Sequence, residues 1–555
     1  MKASSGCWTP TRLQVEGRRK QHWLRPWRAL APLLVLSSIS LVNTTDLSQS
    51  DVFASHNDQL EHEAGTLWSP YFEWELENPS YAGNPFDVAA TVTFTHAGSG
   101  TSLTTPMFYA GGDVWRFRFT GTKLGEWSFV TSSEAQALDG RRGTLTVEPN
   151  ADSNAHGFLT SKGNKFAVPV GNEGQVKGTL YNVYHKGDLE FIHQYPTEPN
   201  ELRSKVAEAF DEVEKHGAGA LFVIVANNWF EFGALAHDEH DSEDPDLTTF
   251  LVLESLIVQA HERGLHVHIW AWGDEDRRWT PIGMGGINGE PDRRLQRYIA
   301  ARLGPLPGWT MGYGFDLHEW TSADSVRAWH GYLHENAGWP LMLTAREERR
   351  PQHNEFFDLG DARLDIYSKS IPGLYTGDFD LSLDSLYDEA LVLLEEAPDL
   401  PNLQEDRWIH TRFDFFDMDN TRRTMWRYAM AGGVGAVWGT FWGDGEPRYP
   451  KPGQLRVHAR FWDARFLLDM EPAQQLGDTY ALKSATGDGV VFYKENADSL
   501  RLNLTYMVHE LPAVAVDTTA ETYEEIDLGL LSPGEHVWDA PYQSDWAVAV
   551  GTFSK

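Results

Sequence analysis

From about Asn154 to about Phe466 the chain alternates short apolar runs with stretches of helical periodicity, and the apolar runs number eight. They read as Phe166–Glu173, Leu221–Asn228, Leu265–Trp272, Trp309–Trp320, Pro340–Arg346, Leu364–Ser368, Leu400–Trp408 and Gly435–Trp442. Helical stretches fall between them at Glu201–His216, Leu253–Arg263, Leu295–Leu303, Ser325–Asn336, Leu386–Ala397 and Thr421–Ala431. Apolar strands that alternate with helices bury both faces of a parallel sheet, and eight of them close it into a barrel. The expected core of the molecule is therefore a (β/α)8 TIM barrel. In such a barrel the strand ends at the C-terminal rim carry the chemistry.

The two ends of the chain have different patterns. Residues 66–150 hold short alternating runs such as Val114-Trp115-Arg116-Phe117-Arg118-Phe119, broken by Gly98-Ser99-Gly100 and Asp139-Gly140. Residues 469–555 return to short strands such as Gly489–Tyr493 and Trp546–Val550. Each pattern predicts an antiparallel β-sandwich flanking the barrel, so the fold class is multidomain. Upstream, Arg18, Arg19, Lys20, Arg25 and Arg28 precede an apolar run from Ala29 to Val42. This reads as a secretory signal over residues 1–42, followed by a polar linker at 43–65. The single cysteine, Cys7, would leave with the signal, which excludes disulfides and thiol chemistry from the remainder. A net charge of -34 argues against a nucleic-acid partner, because phosphate binding requires a basic stripe. Stable membrane association is not expected once the signal is removed.

Glu319 ends the fourth apolar run and Glu405 lies in the seventh. Two carboxylates on one barrel rim can cut a glycosidic bond: one protonates the leaving oxygen while the other attacks the sugar or activates water. A sugar site would also draw on Asn172, Asn227, Asn228 and His318 for hydroxyls, and on Trp270, Trp272, Trp438 and Trp442 as stacking platforms. Tyr367, ending the sixth run, could hydrogen-bond the attacking carboxylate. Arg346, with Arg277 and Arg278, would recognise sulfate or carboxylate groups or pair with nearby acids. The rival reading is a metal site, drawn from His237-Asp238-Glu239-His240-Asp241 or from His266 and His268, which share one strand face. No cofactor or catalytic metal is expected, because the later strand ends lack further histidine ligands; a structural calcium on the acidic loops stays open. Other classes left open are a non-catalytic carbohydrate-binding or surface-adhesion protein and a polysaccharide lyase, the last poorly matched by paired glutamates.

Tyr81-Ala82-Gly83-Asn84-Pro85-Phe86, Phe108-Tyr109, Trp115–Phe119 and Gly125-Glu126-Trp127 resemble the small sandwich that precedes the barrel in many bacterial clan-A glycoside hydrolases. Trp538-Asp539-Ala540-Pro541 and Asp545-Trp546 resemble the end of their C-terminal sandwich. The whole layout looks like apiosidase-like and agarase/carrageenase-like polysaccharide hydrolases. The resemblance implies a retaining mechanism on an algal galactan or plant pectic glycan, with Glu319 as acid/base and Glu405 as nucleophile. One departure is His318, which stands where clan-A enzymes commonly carry the asparagine that binds the sugar 2-hydroxyl.

Overall fold

The computed structural model describes residues 60–553 except 61, 235–241, 274–279, 315–316, 347–363, 369–381, 410–416, 441–448, 474–475 and 477. The expected signal and most of the linker lie outside these residues, as do the side chains of His318 and Trp442, Arg277, Arg278 and the run 237–241. Among the described residues no helix is long and apolar enough to cross a membrane.

Eight parallel strands form a nearly closed barrel: Tyr181–Lys186, Ala220–Ile224, His266–Trp272, Trp309–Gly314, Leu343–Thr344, Tyr367–Ser368, Asn402–Ile409 and Gly435–Thr440. The first strand pairs with both the second and the eighth, so the ends of the sequence pattern meet in the ladder. The gap between strands five and six is bridged without a regular ladder. The amides of Asp365 and Ile366 both donate to the Leu343 carbonyl, and Thr344 Oγ1 donates to the Ile366 carbonyl.

One expectation fails here. The apolar run after Phe166 is not the first barrel strand; that strand is Tyr181–Lys186. Lys165–Val170 pairs antiparallel with Thr160–Lys162 and Gln175–Thr179 in a separate three-stranded sheet. Phe166 is fully buried against Tyr181 and the start of strand eight, so this sheet plugs the N-terminal end of the barrel. It is apolar because it is a plug.

The N-terminal region is a two-sheet sandwich, five strands facing three, around Trp74, Phe94, Phe117, Phe119 and Phe129. Aromatic centroids 4.6–6.2 Å apart fill this core. A buried polar clamp ties it to the barrel. Arg118 donates to Glu73 (2.6 Å), to Glu254 of the helix Leu247–Glu262 (2.7 Å) and to the Arg302 carbonyl (3.0 Å), while Arg302 also pairs with Glu254. Burial alone would raise the Glu254 pKa, but the two guanidiniums hold it below the usual carboxylate range. The C-terminal region is one six-stranded antiparallel sheet. Its strand Gly489–Asn503 changes register between Lys494 and Ser499, and the curled sheet encloses a core of Val490, Phe492, Leu500, Leu502, Trp546 and Val548. Asp545, held by Arg422 (2.5 Å) and Arg423 (2.7 Å) of the helix Met418–Met430, anchors this sheet to the barrel.

Candidate active site

Glu405 lies within strand seven and is fully buried. Three donors converge on its carboxylate. His268 Nε2 (2.9 Å) and Trp270 Nε1 (2.6 Å), both from strand three, reach Oε1, and Ser368 Oγ from strand six reaches Oε2 (2.9 Å). A buried carboxylate needs such partners, and a carboxylate is acceptor-only when ionised. His268 and Trp270 stand two residues apart on a strand, so they share the inward face.

The ladder explains how these groups fit together. Trp270 is registered with Gly312 and His268 with Thr310. A Cβ at Gly312 would lie 2.3 Å from Glu405 Oε1 and 3.0 Å from the Trp270 ring, so only glycine leaves room for the carboxylate there. Thr310 Oγ1 is 2.7 Å from His268 Nδ1 and 2.7 Å from the Tyr181 hydroxyl. Both ring nitrogens of His268 are thereby partnered, one by Glu405 and the other by Thr310, and Thr310 in turn by Tyr181. Burial raises the Tyr181 pKa well above that of an ordinary phenol, which keeps it a donor. The chain Tyr181–Thr310–His268–Glu405 therefore runs from the barrel interior to its rim.

Glu319 is placed differently. Strand four ends at Gly314, and Glu319 closes a short 3-10 turn, Leu317–Glu319, with its side chain exposed. The turn is anchored by Trp320, whose ring stacks on Tyr313 at 5.5 Å. Both glutamates thus belong to the C-terminal side of the barrel, one within the wall and one on the surface.

The other expected residues divide. Trp270 is a hydrogen-bond donor to Glu405 and not a sugar platform, since its ring is fully buried against Phe222 with the Arg346 guanidinium 5.1 Å from its centre. Arg346 is itself buried. Trp272 is 2 % exposed and stacks on Phe230, and Trp438 is 4 % exposed with Nε1 donating to Asn182 Oδ1 (3.1 Å), so neither offers a free face. The Tyr367 hydroxyl donates to Glu396 (2.6 Å), on the outer helix Leu383–Glu396; its neighbour Ser368 makes the bond to Glu405 expected of Tyr367. Asn172 lies in the plug sheet's turn, bonded to both backbone groups of Asn150. It is absent from the rim because the strand it was assigned to is not a barrel strand. Asn228 clamps its own loop through Val225, Gly233 and Ala234.

Asn227 is fully buried, and neither side-chain polar atom meets a hydrogen-bond partner among the described residues. It follows Ala226, held at φ +52, a left-handed conformation that alanine rarely adopts. His266 and His268 do not form a metal pair: His268 binds Glu405, and His266 packs near His156 and Tyr181. Residues that sequence reasoning missed are Ser368, Gly312, Thr310 and Tyr181. The two-residue parity of strands three and four was the available signal for the first-named ladder partners, Thr310 and Gly312.

Residues 67–134 match a family model described as a domain of unknown function, DUF5060. No curated protein matches the chain. A solved structure from Bacteroides vulgatus ATCC 8482, provisionally described as a glycoside hydrolase, superposes with a TM-score of 0.66 at 16% identity, over 88% of this chain and 99% of that one. A second structure from the same organism, described as a family 5 glycoside hydrolase, gives 0.52 at 13% identity, over 72% and 93% of the two chains. These likenesses establish a shared fold.

Proposed function

We propose that the protein is a retaining glycoside hydrolase acting on a complex polysaccharide, with Glu405 as nucleophile and Glu319 as acid/base. The observation that carries the reading is the convergence of His268, Trp270 and Ser368 on one buried carboxylate in barrel strand seven. Donors from strand three, across the barrel, and from strand six, beside strand seven, fix the orientation of a group that must attack along one line. The described glycoside hydrolases of like fold support the same class. In this reaction Glu405 would attack the anomeric carbon as Glu319 protonates the departing oxygen, giving a glycosyl-enzyme ester. Glu319 would then take a proton from water, whose oxygen displaces Glu405. Export through the N-terminal segment 1–42, and a substrate among algal galactans or pectic glycans, belong to the same proposal.

A second reading, a non-catalytic carbohydrate-binding or surface-adhesion protein, draws on one observation: Glu405 has no exposed surface while Glu319 is exposed. One experiment separates the two. Reducing-end release is measured on a panel of algal galactans, pectins and hemicelluloses, with wild type beside Glu405→Gln and Glu319→Gln. The expected result is release by wild type that falls on the order of 10^4-fold in Glu405→Gln without loss of folding. Release untouched by Glu405→Gln would remove the nucleophile assignment. Glycan binding without release, equal in wild type and Glu405→Gln, would establish the binder.

A further inference from the structure

On the opposite end of the barrel from Glu405, two histidines one helical turn apart face a single aspartate. His330 and His334 lie on the helix Ala323–Asn336, and Asp365 lies just ahead of strand six. His330 Nε2 is 3.1 Å and His334 Nε2 2.9 Å from Asp365 Oδ2, and the two imidazole centroids are 4.4 Å apart. Residues at i and i+4 share one helix face, so both rings reach the same point. We propose that His330, His334 and Asp365 form a binding site for a divalent transition-metal ion, zinc by the chemistry of its ligands, and that the ion staples the barrel where its ladder is interrupted.

The donor set suits zinc, since two imidazoles and one carboxylate leave an open position for water in a tetrahedral shell. One ligand atom from each of the three residues lies within 4.8 Å of the others. Metal bonds of about 2.0–2.1 Å separate tetrahedral ligand atoms by roughly 3.3 Å. The present N···O distances therefore need to open by only a few tenths of an ångström. Each histidine would release its Nε2 proton, or move it to Nδ1, as the nitrogen lone pair turns to the ion. The Leu343 amide also donates to Asp365 Oδ2 (2.9 Å) and keeps the carboxylate in place.

The position explains why an ion would matter. Strand five has two residues, and its link to strand six runs through the Leu343 carbonyl, which accepts from Asp365 and Ile366. An ion on Asp365 and the helix would hold both sides of this seam. Among the described residues, no other cluster brings three such ligand atoms together.

Metal-free full-length protein is titrated with Zn2+, Ca2+ and Mg2+ by equilibrium dialysis, with Tm followed in parallel. Co2+ absorption reports the coordination shell. Expected are one Zn2+ per chain, a Tm that climbs with Zn2+ concentration, an intense visible Co2+ band, and no response to Ca2+ or Mg2+. His334→Gln, changed at the more exposed ligand, should fold as judged by circular dichroism and bind Zn2+ at least about tenfold more weakly. Asp365→Asn provides the second ligand variant. Absence of saturable Zn2+ uptake would overturn the proposal. So would uptake undiminished in folded His334→Gln, which would put the ion elsewhere, with the run His237–Asp241 the first place to look.

Discussion

Barrel strand three carries two histidines, two residues apart on the same face, and they live in opposite surroundings. At the strand's start His266 is buried among His156, His261 and Tyr181, and its Nε2 meets no hydrogen-bond partner among the described residues. Two residues on, His268 bonds Glu405 through one nitrogen and Thr310 through the other. The same residue type is thus a packing group with one ring nitrogen unpartnered at the plug end and a fully partnered polar group at the rim end. A buried hydrogen-bonding group without partners destabilises a fold, whereas one with every partner met restricts a site to one geometry. The contrast assigns stability to the plug end and positioning to the rim end.

The most severe way to break the rim side is Gly312→Ala. The new Cβ would occupy the space of Glu405 Oε1, so the carboxylate must move or turn. Displacing an attacking group by about 1 Å costs on the order of 10²-fold, and kcat/KM should fall by at least that amount. The chain should stay folded, since overpacking costs about 1–3 kcal/mol. Unchanged activity would mean that Glu405 does not act from its observed position. His268→Ala comes next. It removes a donor to a carboxylate and cuts the chain through Thr310 to Tyr181, an interaction worth about 1.5–3 kcal/mol, so kcat should fall roughly 10–100-fold with KM little altered. Ser368→Ala removes the hydroxyl donor to Oε2 and should cost about tenfold. Equal losses from His266 and His268 substitutions would erase the distinction between the two ends.

Much of this plan was legible in the pattern of residues. Seven of the eight barrel strands fall in apolar runs, and so do the two glutamates that the alternation brings to one side. The first strand was hidden because Tyr181–Lys186 includes Asn182, His185 and Lys186, polar residues whose partners are Trp438, Glu190 and the exposed Asp188. The plug strand looked more like a barrel strand than the true one. Within the site the error has a single physical form. Adjacent residues of a strand face opposite sides, so placing the bond on Tyr367 instead of Ser368 is a slip of one residue. Trp270, Trp272 and Trp438, read as platforms, are buried donors and packing groups, a distinction set by tertiary burial that composition does not carry. His268 showed its parity with His266 and Trp270, but its partner lies across the barrel, where no local pattern reaches.

The plug end can be tested through acid stability. Burial lowers the pKa of His266 to about 4, of His156 to about 4 and of His261 to about 3, with repulsion among the three adding to it. In the unfolded chain these groups titrate near 6.5. Between about pH 6.5 and pH 4 the unfolded state therefore binds more protons than the native state, so stability is greatest above pH 6.5 and falls as the pH drops through this window. Each histidine contributes at most about 1.4 kcal/mol per pH unit to that slope. His266→Leu removes one of these protons and keeps a buried side chain of similar size. Urea unfolding at pH 7, 6 and 5 should show wild type losing stability more steeply than His266→Leu by about this amount per unit, with the two closest at pH 7. Parallel slopes for wild type and His266→Leu would mean that the plug end accepts protons without penalty, and the assignment of a packing role to that end would fall.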